Sequence, residues 1–259
     1  MLKEEESQAR GTIVRTSYEQ AAGDNYRTVG QLYRNALVRP LQLLRTQPIV
    51  QILAVFYAYL YGLMYLVLST FSSLWRIQYH ESVAISGLHY VALGSGYMLG
   101  SQICGFLADR IYRTLQKRNA NGAGRPEFRV VLMLPASIAV PAGLFWYGWA
   151  AQTRCFWLIP DLGIALFAGG AMISFQCTTA YLYEAFTLYA ASATAAVYIL
   201  RGFTGFGFPL FGPRMFEVLG YGWGGSLLGF VGIILGIPAP IILWMYGQRL
   251  RGMSDYAVG

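Results

Sequence analysis

The sequence contains little charge and few residues that could bind a metal or act as catalysts. Charged residues make up 12% of its 259 residues, about half the share of a soluble globular protein. The two histidines show neither HxxxH nor HExxH spacing, which argues against a membrane metalloenzyme. The three cysteines, Cys104, Cys155 and Cys177, lack CxxC spacing and lie in or beside apolar runs, as small core side chains do. We therefore expect no metal, no cofactor and no enzymatic activity.

Long apolar stretches dominate instead, and hydrophobic residues make up 56% of the chain. Six stretches approach the roughly 20 residues that a helix needs to cross a bilayer, and none has the polar face of a surface helix. Because lipid offers backbone groups no hydrogen-bond partner, such segments must be helices. The sequence predicts an all-α protein of the lipid bilayer whose six transmembrane helices lie at about 48–75, 85–107, 130–150, 156–183, 190–211 and 223–246.

Lysine and arginine are distributed unevenly around these stretches. Most lie before the first stretch, between the second and third, or after the sixth, and the alternate loops hold only Arg76, Arg154 and Arg214. The positive-inside rule makes the basic segments cytoplasmic. We therefore predict a cytoplasmic arm over 1–47, a membrane domain over 48–247 and a cytoplasmic tail over 248–259. Since the basic residues follow topology and form no single face, nucleic acid is not expected as a partner.

The arm is polar and mixed in charge. We expect it to be flexible up to about Val29 and then to form an amphipathic helix to Arg45, with five apolar side chains near one face: Leu32, Ala36, Leu37, Leu41 and Leu44. Two interpretations stay open for this helix. We prefer a solvated tether that touches the lipid headgroups to a helix that binds a partner.

Arg201 is the most unusual single residue. If the fifth helix starts near Ala190, Arg201 lies about 16 Å along it at 1.5 Å per residue, close to the bilayer midplane. A charge there costs at least a few kcal/mol and marks a substrate or translocation site by default. A structural ion pair, or an arginine that reaches toward water, remains the alternative.

Two further patterns point to the same region. Gly205, Gly207 and Pro209 follow Arg201 and predict a kinked helix, as a rocking transporter would use, although plain helix packing fits equally. On the first helix, Tyr57, Tyr61 and Tyr65 recur every four residues and share a face. With Gln51, Tyr97 and Gln102 they could line a pocket for flat organic molecules; ordinary aromatic content of a membrane helix is the alternative.

The carboxylates all fall at helix ends or in loops, so no acid is expected at the midplane. Asp109 sits where the second helix should end, an unfavourable place for a negative charge. It therefore needs Arg110, Arg113 or a neighbouring helix amino terminus. Glu184 is the best candidate for a proton-coupling group, yet its position before the fifth helix also suits simple dipole stabilisation.

Several segments together resemble a known transporter family. GFLADRIYR at 105–113 is similar to the cytoplasmic signature of the major facilitator superfamily, which joins the second and third helices of each six-helix half. The other segments are GRPEFR at 124–129, YLYEAF at 181–186, YAASA at 189–193, RGFTGFGFPLF at 201–211 and LGYGWG at 219–224. The whole resembles the carboxy-terminal half of fungal twelve-helix drug:proton antiporters over about residues 30–250.

The resemblance implies a fold and a function. The fold would be one half, a 3+3 inverted repeat, of a major facilitator transporter, with the arm equivalent to the central loop. The function would be proton-energised efflux of drugs, toxins or secondary metabolites from the plasma membrane by alternating access. Asp109, Arg110, Arg113 and Glu184 would form a cytoplasmic gate. Tyr112 departs from the signature, which usually has glycine there.

The half length carries its own implication. Twelve helices are usual in the family and six are predicted here, so activity would require pairing with a second copy or with a separate half. The alternatives are a truncated fragment or a membrane scaffold without transport, and, far less favoured, a six-helix membrane enzyme.

Overall fold

The computed structural model describes residues 29–119, 124–254 and 256, and nearly all of them are helical. No strand occurs in these ranges. Short 3₁₀ segments at Pro126–Val130 and Thr187–Tyr189 precede two of the helices. Within the described ranges the α-helices are α1 (Val29–Thr46), α2 (Pro48–Ile77), α3 (Val83–Leu88), α4 (Tyr90–Arg118), α5 (Met133–Gln152), α6 (Leu158–Phe186), α7 (Ala190–Gly236) and α8 (Pro238–Gly252).

Helix α1 confirms the helix predicted for the end of the arm. The chain divides into two compact units, residues 1–39 and 40–259, and α1 runs through the boundary. Of the first unit, the structure describes only the helical residues 29–39. In the second unit Leu43 is buried and Leu41 is exposed. The predicted flexibility before Val29 lies outside the described residues.

Four helical stretches of the described chain are long and apolar enough to cross a bilayer. They are Pro48–Ile77, Val83–Arg118, Pro126–Gln152 and Leu158–Gly252. The first three each contain one of the predicted transmembrane helices. The fourth is 95 residues long and contains the last three predicted helices, because α6, α7 and α8 follow one another with almost no intervening loop.

Helix α7 reverses its direction at Gly220, whose φ of 74° and ψ of 169° are the only non-helical torsions within it. Glycine adopts this positive φ at no steric cost. Before the break, a Cβ at Gly212 would lie 2.8 Å from Leu66 of α2. After it, a Cβ at Gly236 would lie 3.7 Å from Phe56, almost three turns back along α2. The two parts of α7 therefore run past α2 in opposite directions.

Close glycine contacts hold α4 against α6. A Cβ at Gly96 would lie 2.3 Å from the Ala165 carbonyl oxygen, and one at Gly100 would lie 2.5 Å from that of Gly169. Only residues without a side chain allow backbones to approach this closely. Gly96 and Gly100, which are four residues apart on α4, therefore form a packing face toward α6.

The core lies around α2, while α4 is the least covered helix. In the most apolar run of 18 residues within each stretch, 61% of the residues are buried in Pro48–Ile77 and 22% in Val83–Arg118. The exposed side of α4 carries large apolar side chains, namely Val91, Met98, Leu99 and Phe106. This side needs lipid or another protein surface to cover it.

Candidate functional site

Arg201 lies on α7 with its guanidinium between two tyrosine rings. Its Cζ atom is 3.7 Å from the ring centroid of Tyr198 and 4.8 Å from that of Tyr61. Within the described residues Arg201 makes no salt bridge. Ring faces stabilise a desolvated cation by about 2 kcal/mol, far less than a carboxylate at contact distance would. The site therefore holds a positive charge that is only partly compensated.

The three tyrosines predicted to share a face of α2 lie near Arg201 and differ in their burial and in the residues that they contact. The Tyr61 hydroxyl donates a hydrogen bond to that of Tyr65 at 3.1 Å, and their ring centroids lie 4.7 Å apart. Tyr57 is buried, with its ring 4.5 Å from Phe175 and 5.5 Å from Tyr198. Tyrosines of α2, Phe175 of α6 and Tyr198 of α7 thus form one aromatic cluster beside Arg201.

Phe175 and Tyr198 were missed in the sequence. Tyr198 lies three residues before Arg201, so helical spacing alone would have placed it on the same face. Phe175 lies on a different helix, and no local pattern marks it. Gln102, which was predicted to line the same pocket, is exposed on α4 and makes no hydrogen bond to any described residue. Its neighbour Ser101 accepts a hydrogen bond of 2.8 Å from Gln176.

The glycines after Arg201 differ in what surrounds them. A Cβ at Gly205 would lie 2.9 Å from the Tyr61 ring, whereas one at Gly207 would meet nothing within 4 Å. Gly205 therefore makes room for the ring that contacts Arg201. Helical torsions run through Gly205, Gly207 and Pro209, and the predicted kink at Pro209 stays a prediction. Thr204 fixes this part of α7 to α2 through a 2.6 Å hydrogen bond to the Ala58 carbonyl.

Asp109 has a different partner from the ones that the sequence suggested. Arg129, which precedes α5, donates from Nη1 to Asp109 Oδ1 at 2.8 Å and from Nε to Glu184 Oε1 at 2.7 Å. It thus bridges α4, which continues for nine residues beyond Asp109 to Arg118, to the end of α6. Arg110 instead stacks on Phe106, 4.0 Å from the ring centroid, and Arg113 is exposed. Arginines one and four residues after Asp109 belong to its own helix, whereas Arg129 approaches from another element.

Tyr112 supports this bridge. The Arg129 guanidinium carbon lies 4.5 Å from the Tyr112 ring centroid, and Phe128 packs edge-on against the same ring at 5.9 Å. The residue that departs from the loop signature therefore gives Arg129 an aromatic platform. Glycine could not supply one.

A second ion pair at this end of the helices was not expected from the sequence. Arg251 of α8 donates to Glu127 from Nε and Nη2, both at 3.0 Å. Each side chain is only 7% exposed. A planar guanidinium matches a carboxylate in this two-pronged geometry. The pair joins the segment before α5 to the end of α8.

Comparison with known proteins gives clear relatives. The chain is 43% identical over 230 residues to the MFS-type transporter oryF of Aspergillus oryzae, covering 89% of the chain and 48% of that protein. It is 44% identical over 232 residues to the efflux pump vrtL of Penicillium aethiopicum, covering 90% and 46%. It is 39% identical over 249 residues to the MFS-type transporter atr4 of Stereocaulon alpinum, covering 96% and 44%. The chain belongs to the major facilitator superfamily.

Within this superfamily the chain spans about half the length of the curated relatives it matches. No protein-family model and no solved structure matches it. The resemblance read from the sequence is confirmed, since the relatives are transporters and efflux pumps of the major facilitator type. These names favour a transporter and do not favour a scaffold or fragment without transport.

Proposed function

We propose that the chain is the carboxy-terminal half of a major facilitator transporter that exports small organic molecules by alternating access. The names of the relatives support a role in transport. The proposed substrate site is based on one observation, the partly compensated guanidinium of Arg201 between the rings of Tyr61 and Tyr198. Its place about 16 Å along α7 puts it near mid-bilayer, where the two halves of such transporters bind substrate.

The chain crosses the membrane six times in this proposal. The 95 residues of Leu158–Gly252 would extend about 140 Å as one straight helix, against a hydrocarbon core of about 30 Å. The reversal at Gly220 and the 3₁₀ segment before α7 divide this stretch into three crossings. With the three preceding stretches this gives six, arranged as two inverted sets of three.

Both termini face the cytoplasm, and the membrane is the plasma membrane. The end of α4 carries Arg113, Lys117 and Arg118, and α8 ends with Arg249 and Arg251. The Glu127–Arg251 pair brings α8 to the segment that follows this basic loop. One end of the bundle therefore collects most of the described cations, as the cytoplasmic side does. Here Asp109, Arg129 and Glu184 form the gate, while Arg110 and Arg113 orient the chain.

A second half completes the transporter. The apolar side of α4 is exposed, and so are Phe203, Phe206 and Leu210 on α7. We propose that these sides face either a second copy of the chain or a separate half, with the substrate bound between the halves. Protons energise the export.

The cluster favours a flat molecule that carries an acidic or carbonyl oxygen. Aromatic rings of the substrate stack on Tyr61 and Tyr65, which are not buried, and the oxygen takes the unfilled hydrogen-bonding positions of Arg201. A hydrogen bond to a charged group contributes about 1.5–3 kcal/mol. Loss of the guanidinium should therefore weaken binding of such a substrate by about 10-fold to 100-fold.

Transport in liposomes tests this proposal. The 259-residue chain is reconstituted with a proton gradient, and transport of anionic fluorescein is compared with that of cationic rhodamine 6G. We expect Arg201→Ala to reduce fluorescein transport by about 10-fold to 100-fold and rhodamine 6G transport much less. Arg214→Ala is the matched control, because Arg214 is exposed and, among the described residues, pairs only with Glu217 on its own helix.

Two results would contradict the proposal. Equal effects of Arg201→Ala and Arg214→Ala on fluorescein transport would show that Arg201 does not lie in the translocation path.

Pairing is tested by varying the number of chains per liposome. If two copies form the transporter, the rate rises with the square of chain density at low density, and a strictly linear dependence would refute self-pairing.

A further inference from the structure

His89 lies between two carboxylates at the end of the bundle opposite the Arg129 bridge. Its Nδ1 atom is 2.7 Å from Asp161 Oδ2, and its Nε2 atom is 2.9 Å from Glu81 Oε2. Side-chain exposure is 7% for His89, 7% for Asp161 and 20% for Glu81. The three groups come from the loop before α3, the start of α4 and the first turn of α6.

The two contacts together require a bound proton. A neutral imidazole has one N–H donor and one acceptor nitrogen, and an ionised carboxylate can only accept. With both carboxylates ionised and the ring neutral, one of the two contacts would set lone pairs against each other at hydrogen-bond distance. One additional proton removes this conflict, because an imidazolium donates from both nitrogens. The cluster then has a net charge of minus one.

The surroundings of the ring favour placing that proton on His89. The imidazole stacks on the Trp75 indole with ring centroids 3.5 Å apart and planes at 6°, and Trp157 lies edge-on at 5.9 Å. An indole face attracts a cation. Among the described residues Asp161 Oδ1 is buried without a hydrogen-bond partner, so an ionised Asp161 has only the His89 proton to compensate its charge there.

The other ionisable groups nearby leave the cluster negative. The Tyr79 hydroxyl of the loop donates to the Cys155 carbonyl at 2.9 Å. Burial, then the neighbouring Cys155, Asp161 and Glu81, raise the pKa of Tyr79, which therefore stays neutral. Arg76 and His80 line a cavity that includes Glu81, and both are exposed. A separate cavity of about 450 Å³ is lined by Glu81, His89 and Asp161, large enough to admit water that delivers a proton.

We propose that Glu81, His89 and Asp161 form a proton-binding site that clasps the start of α4 to the start of α6. The bound proton makes both ring nitrogens donors and closes the clasp. Its loss leaves one carboxylate facing a lone pair and opens the clasp. The use of this proton in transport rests on the proposed function, whereas the binding of the proton does not.

Nitrogen NMR of the two histidines tests this site directly. The full chain is labelled with ¹⁵N-histidine in lipid nanodiscs, and the exposed His80, which has φ of 57°, is replaced by asparagine to leave His89 alone. Asparagine tolerates that backbone conformation. We expect both ring nitrogens to carry protons at pH 7 and one to lose its proton in a single step as the pH rises.

Variants of the carboxylates supply the comparison. Removing one opposite charge at this distance moves the pH midpoint of a group's protonation by about 1 to 3 units. Asp161→Asn and Glu81→Gln should therefore each lower, by that amount, the pH at which half of the His89 rings have lost one proton. Glu217→Gln, which changes an exposed carboxylate on α7, should move it by less than the error of measurement.

The outcomes separate this site from the proposed function. A spectrum of the His80→Asn chain at pH 7 in which His89 has one bare ring nitrogen overturns the proton site, and this variant changes only an exposed side chain. A midpoint in Asp161→Asn equal to that of the wild type overturns it as well. A doubly protonated His89 in a chain that transports neither probe supports the proton site and counts only against the proposed function.

Discussion

The buried pair of Glu127 and Arg251 gives a strong test of the packing at the predicted cytoplasmic end. Both side chains are 7% exposed and meet through nitrogen–oxygen distances of 2.9–3.0 Å. Removing one partner of such a pair costs about 3–5 kcal/mol, because the remaining charge stays buried without compensation. Replacing both partners by apolar residues of similar size is often neutral. We therefore expect Arg251→Met to destabilise strongly and the double variant Glu127→Met/Arg251→Met to remain close to the wild type.

Thermal unfolding in lipid nanodiscs measures the difference. A loss of about 3–5 kcal/mol corresponds to a fall in Tm of roughly 6–20 °C for a domain of this size. Arg214→Met is the control, since it breaks an exposed pair on one helix, worth at most about 1 kcal/mol. The reasoning is refuted if Arg251→Met unfolds within the error of this control, or if the double variant is as unstable as the single one.

Two further changes test the site and the gate. Gly205→Val should displace the Tyr61 ring that contacts Arg201 and reduce transport strongly, whereas a Cβ at Gly207 meets no described atom within 4 Å, so Gly207→Val should reduce transport less. Equal effects of the two variants in the liposome assay would contradict this. Arg129→Gln removes bonds to Asp109 and Glu184, whose exposures of 59% and 28% limit the loss to about 1 kcal/mol. This loss should shrink in high salt when unfolding is measured, and a salt-independent loss would count against the bridge.

The transmembrane helices could be predicted from composition, because a long apolar segment can satisfy its backbone hydrogen bonds in lipid only as a helix. Helix α2 was predicted at 48–75 and extends over Pro48–Ile77. The last predicted helix, 223–246, is less regular in the structure, since α7 ends at Gly236 and α8 begins at Pro238. Proline lacks the N–H needed to continue a helix and suits the first turn of a new one.

Polar partners were harder to predict, because they depend on which helices meet. Asp109 was expected to need Arg110, Arg113 or a neighbouring helix amino terminus, and the structure pairs it with Arg129 from the segment before α5. His89 was considered in the sequence only as one of two histidines without metal-binding spacing. Its partner Asp161 lies 72 residues away, and no local pattern connects the two. A sequence shows that a charge near a membrane needs compensation, but the contact comes from tertiary packing.

Two polar clusters connect α4 and α6 by different chemistry, one at the starts of both helices and one between Asp109 of α4 and the end of α6. Asp161 and Glu184 are about 35 Å apart along α6 at 1.5 Å per residue, so one cluster lies at each end of the pair. Arginine keeps its charge at every physiological pH, and the Arg129 bridge can be released only by movement or by a competing charge. The contact of His89 with its two carboxylates depends instead on a proton that an imidazolium can release. Loss of that proton should therefore open the His89 end and leave the Arg129 end unchanged.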